Sequence, residues 1–124
     1  MINYKEVLIS SVVMLILDYF YLSNSGPSFN KIVKKIQGEE IKFKLNGAIV
    51  CYIALVSCLN YFIIDKKKNI QDAFILGVCI YTIYDSTNHA IFDEWNGLPI
   101  YIDSLWGGIL FSLTTYFTYK ILYW

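Results

Sequence analysis

At 124 residues the chain has the length of one domain, and its 56% hydrophobic share with a mean hydropathy of +0.48 exceeds the soluble norm of about half apolar. Ten basic residues, all Lys, balance ten acidic ones, so the charge pattern excludes an electrostatic nucleic-acid partner. The 11 Tyr, 8 Phe and 3 Trp point instead to a lipid bilayer, whose two interfaces accommodate half-wet rings.

The first apolar run covers residues 7–22 and is broken only by Asp18. No small-residue cleavage site follows it and Asp18 interrupts the apolar stretch, so it reads as a retained membrane span rather than a signal peptide. At about 1.5 Å per residue it covers roughly 24 Å, short of a hydrocarbon core of about 30 Å, which residues 1–6 or the flanking tyrosines would extend. Ser23-Asn24-Ser25-Gly26-Pro27-Ser28 has the composition of a turn. Beyond it, over residues 28–43, Phe29, Ile32, Val33, Ile36 and Phe43 fall on one stripe and Lys31, Lys34, Lys35 and Lys42 opposite it. That pattern predicts an amphipathic helix lying along the membrane interface, with Gly38-Glu39-Glu40 as a break point.

Residues 45–64 form the second predicted span, closed by the charged turn Asp65-Lys66-Lys67-Lys68-Asn69. Residues 73–92 form the third, followed by Asp93-Glu94-Trp95-Asn96-Gly97-Leu98-Pro99. Residues 100–122 form the fourth, ending in an interfacial group of Tyr119, Tyr123 and Trp124 around Lys120. Irregular backbone is unstable against lipid, so the expected fold is all-α: one integral membrane domain over residues 1–124, an antiparallel four-helix transmembrane bundle with the interfacial helix between spans one and two. Cys51, Cys58 and Cys79 lie in apolar runs, match no zinc spacing and read as small packing residues, so no metal site is expected.

Antiparallel spans put the end of the first and third beside the start of the second and fourth. Asp18, Asp85 and Asp103 then fall in one leaflet at similar depth, with Asn46 on the same side. Helical phase agrees: Tyr81, Asp85 and Asn88 share a stripe, His89 lies one turn from Asp85, and Asp103, Trp106, Gly107 and Leu110 share a face. Ionisable groups at membrane depth are costly and mark function. Three carboxylates in a dry site cannot all stay ionised, and His89, the one histidine, would offset part of their charge as a cation. The candidate ligand- or proton-binding cluster is therefore Asp18, Tyr84, Asp85, Thr87, Asn88, His89, Asp103 and Trp106.

Three signatures carry a family resemblance. They are Leu17-Asp18-Tyr19-Phe20-Tyr21-Leu22, Tyr84-Asp85-Ser86-Thr87-Asn88-His89-Ala90 with Trp95 downstream, and Ile102-Asp103-Ser104-Leu105-Trp106-Gly107. In order and spacing along the whole chain they resemble the domain-of-unknown-function family 2177, small predicted four-span membrane proteins. Tyr21 departs from the family's first motif, which more often has Trp there, and the Lys-rich linker is a second departure. The resemblance implies a four-span fold centred on these polar motifs and carries no activity or cofactor with it.

Three function classes follow. The first is a protein that binds or passes a proton, cation or small polar ligand at the cluster, as a homo-oligomer if anything crosses. The second is a structural or accessory protein of a cellular or virion membrane or a larger membrane assembly, in which the cluster only fixes helix packing. An intramembrane enzyme ranks last, because no nucleophile, phosphate loop or metal motif accompanies Asp and His. Orientation rests on lysines that divide evenly: Lys5, Lys66, Lys67, Lys68 and Lys120 on one side, Lys31, Lys34, Lys35, Lys42 and Lys44 on the other. Lys5 and the Lys66–Lys68 run lie closest to span ends, which places both termini in the cytoplasm.

Overall fold

In the computed structural model, which describes residues 3–124, Asn3 starts the first helix by accepting the Lys5 and Glu6 backbone N–H groups on Oδ1 at 3.0 and 3.2 Å. Met1 and Ile2 of the expected N-terminal extension lie outside the described residues. Helix α1 (Tyr4–Gln37) ends at Gly38, whose φ of 79° lets its N–H return to Lys34 O. Helix α2 (Leu45–Leu59) continues into a π-helical turn (Asn60–Ile64); α3 (Ile70–Ile91) is capped by Asn69 and α4 (Leu98–Leu122) has Pro99 in its first turn. All four elements are helical, with no strand among the described residues.

The expected turn at residues 23–28 and the separate helix at 28–43 do not form. The chain runs helically through Pro27, and residues 39–44 are the irregular ones. The turn-forming side chains bond inside the helix instead: Ser23 Oγ donates to Tyr19 O and Asn24 Nδ2 to Phe20 O, both at 2.8 Å. Packing then holds the segment beyond Pro27. Its apolar stripe is genuine, but Phe29, Ile32, Val33 and Ile36 cover Trp95, Ile100 and Phe92 of the α3–α4 turn, so protein rather than a membrane interface meets it. Phe43 lies in the irregular segment and is exposed. That segment runs back along the helix, with Ile41 N–H donating to Asn30 Oδ1 at 2.9 Å.

Helix α1 is thus 34 residues, about 51 Å at 1.5 Å per residue. Among the described residues two helices are long and apolar enough to cross a membrane: α1, and α2 with its π turn, at mean hydropathies of 1.6 and 2.1.

Helix α4 is the centre of the packing. It buries Ile100, Asp103, Gly107, Leu110, Phe111 and Tyr119 against its neighbours. Numbers rise along α1 as they fall along α4, from Glu6–Tyr123 to Asp18–Trp106 and Tyr21–Asp103. Helix α2 leans on this core through Leu55, Leu59, Ile63 and Ile64, while its first half leaves Leu45, Ile49, Val50 and Ile53 exposed. Cys51 and Cys79 are exposed as well, which corrects their expected packing role; Cys58 is half-buried.

Against α3, α4 approaches to backbone contact. A Cβ on Gly77 would sit 2.1 Å from Gly107 O, and one on Gly107 2.4 Å from Tyr81 Cγ. A Cβ on Gly108 would meet side-chain rather than backbone atoms first, Val78 Cγ2 at 2.5 Å and the Phe74 ring at 2.7 Å. Small residues let helices meet this closely where the hydrophobic effect supplies little drive. Gly77→Ala is expected to lower stability by about 1–3 kcal/mol, and Gly108→Ala by less, because a carbonyl cannot rotate away. Thermal melts of the purified variants, followed by circular dichroism, test the order.

At the far end a clasp joins three elements. Glu6 is buried, Lys67 Nζ of the α2–α3 turn bonds its carboxylate, and Tyr123 OH donates to Oε2 at 2.5 Å. The bond to Glu6 raises Lys67 above its ordinary 10.5, and the same acceptor raises Tyr123. A lysine raised on folding stabilises fully below its unfolded value and loses that contribution as pH climbs through the folded one. The melting temperature should therefore fall above pH 10.5, and Lys67→Met should start lower and lack that part of the alkaline fall.

Candidate functional site

The close approach of α3 and α4 brings the acidic residues of both helices together. Asp85 is 1% and Asp103 8% exposed, and the two carboxyls lie within hydrogen-bonding reach of each other. Asp85 Oδ1 accepts from the Trp95 indole at 3.4 Å and Oδ2 from Ser104 Oγ at 3.1 Å. Asp103 Oδ1 accepts from Tyr21 OH at 2.7 Å. The Tyr21 ring stacks on Trp106, centroids 4.7 Å apart and planes 9° from parallel. Trp106 Nε1 in turn donates to Asp18 Oδ1 at 3.0 Å, and Tyr52 OH bonds Asp18 Oδ2. All three carboxylates belong to one connected network drawn from four helices.

The remaining predicted residues divide. Tyr84 is exposed and meets Trp95 edge-to-face at 5.9 Å, with the half-buried Asn88 one turn on. His89 borders the same cavity as Asp85, and its Nδ1 lies 2.7 Å from Trp95 O, tying the ring to the α3–α4 turn. Helix α3 stops two residues later, so the ring at its end reaches the turn's backbone. Thr87 is exposed, away from the network. Asn46, on the same side by topology, is exposed and bonds its own neighbour's N–H.

Sequence reasoning passed over Tyr21, Tyr52 and Ser104 as site residues. Tyr21, three residues after Asp18, had its signal in the first motif, where the family's usual Trp would also supply a ring N–H. Ser104 sits inside the third motif. Nothing local distinguishes Tyr52; only the register of α2 against α1 brings it to Asp18.

Two cavities flank the carboxylate pair. One, of about 290 Å³, is bordered by Asp85, Thr82, Ser86, His89, Asn96 and Ser104. The other, of about 700 Å³, lies between α1, the first half of α2 and α3 and has Asp103 in its wall with Phe29, Tyr81, Tyr84, Trp95 and Leu55. Asp85 thus borders the smaller cavity and Asp103 the larger, aromatic one. Among the described residues, no group of three or more His, Cys, Asp or Glu is placed to hold a metal ion.

Four packed helices, two of them long and apolar enough to cross a membrane, define the class: a small all-helical membrane protein. The chain belongs to the family described as predicted membrane protein (DUF2177), whose model matches residues 3–120. Neither the curated proteins nor the solved structures give a match.

Proposed function

We propose that all four helices cross the bilayer as an antiparallel bundle and that the Asp85–Asp103 pair is its centre, binding or passing a proton, a cation or a small polar ligand. Helices α3 and α4, at 22 and 25 residues, cover about 33 and 38 Å. Each presents large apolar side chains outward, Ile75 and Ile83 on one, Ile102, Leu105 and Ile121 on the other, which suits lipid. The observation that carries the reading is the pairing of two buried carboxyls in the wall between two cavities. A group meant only to hold helices together needs neither a second carboxyl nor access from two sides.

The structural alternative draws its support from Asp18. Both its oxygens are taken by donors from two other helices, Tyr52 and Trp106, so it works as a clamp. We assign packing to Asp18 and exchange to Asp85 and Asp103.

Infrared titration of the purified protein tests this assignment. The native protein should show a protonated-carboxyl C=O band that responds to pH, and Asp85→Asn and Asp103→Asn should each remove it while circular dichroism stays native. A band absent from the native protein, or unchanged in both variants, would sink the reading. With the lysine-bearing α2–α3 turn on the cytoplasmic side, a cysteine placed at Asn69 should react with an impermeant thiol reagent only after the membrane is opened. Labelling of intact cells would reverse the orientation.

A further inference from the structure

The larger cavity has a chemistry of its own. Its volume of about 700 Å³ is that of a site for a drug-sized molecule. Its walls are Phe29, Tyr81, Tyr84 and Trp95 with Leu55 and Ile80, so a ligand there meets rings and aliphatic surface. Two formal charges border it. Lys42, at the outer rim on the irregular segment, is exposed and already paired with Glu39 at 3.0 Å. Asp103 stands in the wall with Asp85 behind it. An anionic amphiphile would bring its charge toward two carboxyls, and a neutral chain would leave them unmatched. A cation would match them, and the ring faces add attraction of the same sign. The first half of α2, exposed at Val50 and Ile53, leaves the cleft open sideways toward the surrounding lipid.

From this complementarity we infer that the cleft binds a lipophilic organic cation, a quaternary ammonium or phosphonium with apolar substituents, seated against Asp103. The inference rests on the Asp85–Asp103 pair being an exchangeable centre. When the cation enters, the proton held by the pair leaves to water and the carboxylate remains as counter-ion, so one positive charge replaces another. The cavity at Asp85, bordered by His89, Asn96 and Ser86, is the polar side from which that proton departs.

Calorimetric titration of the full-length protein in neutral detergent with tetraphenylphosphonium tests the inference, with a pH indicator following proton release. Binding accompanied by release is expected. Asp103→Asn should weaken it by about 30-fold or more, as loss of one partner from a desolvated charge pair does. Cys51→Trp narrows the cleft from an exposed position on α2, keeps the carboxylates and should weaken binding as well. Lys42→Gln should leave affinity within about twofold, as expected for an exposed ion pair at the rim. The inference falls if the native protein does not take up the cation, if Asp103→Asn and Cys51→Trp bind as the native protein does, or if dodecanoate binds more tightly than tetraphenylphosphonium. Failure of cation binding with the pH-sensitive carboxyl band intact would overturn the cleft proposal alone; loss of the band as well would overturn both.

Discussion

The backbone contact between Gly77 and Gly107 is the constraint on which the rest depends. With any side chain at either position, α3 and α4 would have to part, since a Cβ on Gly77 would lie 2.1 Å from a carbonyl oxygen. That separation would act at the level of Asp85, two turns after Gly77, and Asp103, one turn before Gly107. A displacement of an ångström or two there would break the Ser104–Asp85 bond at 3.1 Å and move the two carboxyls out of each other's reach. The small residues of α3 and α4 thus serve the polar site as well as the packing. Without a large hydrophobic drive between helices in lipid, close approach and cross-helix hydrogen bonds supply most of the specificity.

How the sequence read depended on the range of the determining interactions. The helices at 45–64, 73–92 and 100–122 follow from apolar run length, and α2 with its π turn, α3 and α4 lie within three residues of those bounds. Run length is a local property and survives tertiary context. The continuation of α1 through Pro27 does not follow from anything local. Pro27 lacks a donor and its neighbours Ser23 and Asn24 favour turns in isolation. What overrides them is the stripe of Phe29, Ile32, Val33 and Ile36 meeting Trp95, a residue about sixty positions away. The amphipathic pattern was visible, but its partner was not.

The same distinction separates the site residues. Asp18, Asp85, Asp103 and Trp106 were legible because burying charge in an apolar helix is costly and leaves an obvious signature. Tyr21 and Tyr52 were not, because a tyrosine in a membrane-length helix reads as an interfacial ring until the facing helix is known. His89 was placed in the cluster by its phase relative to Asp85. The phase is right, but the helix ends so soon afterwards that the Trp95 carbonyl is nearer than the carboxylates. Periodicity names the face a residue belongs to and is silent on where the next backbone passes.

The three aspartates differ in how fully they are satisfied, and the proposed division of roles rests on this difference. Asp18 accepts one bond on each oxygen, from donors on α2 and α4, and its two partners close off both sides of the carboxyl. Replacing a carboxylate so enclosed with an amide would keep some of its bonds and lose little that a packing role requires. Asp103 has a single protein donor, Tyr21, and turns its remaining capacity toward Asp85 and the cleft. A buried acceptor with spare capacity is costly unless something fills it. Our proposal places an exchangeable proton or cation there, in a wall that borders a cavity on each side. The clamp at Asp18 then has a second consequence: by fixing Trp106, on which Tyr21 stacks, it holds the one donor that keeps Asp103 in place while its other partner changes.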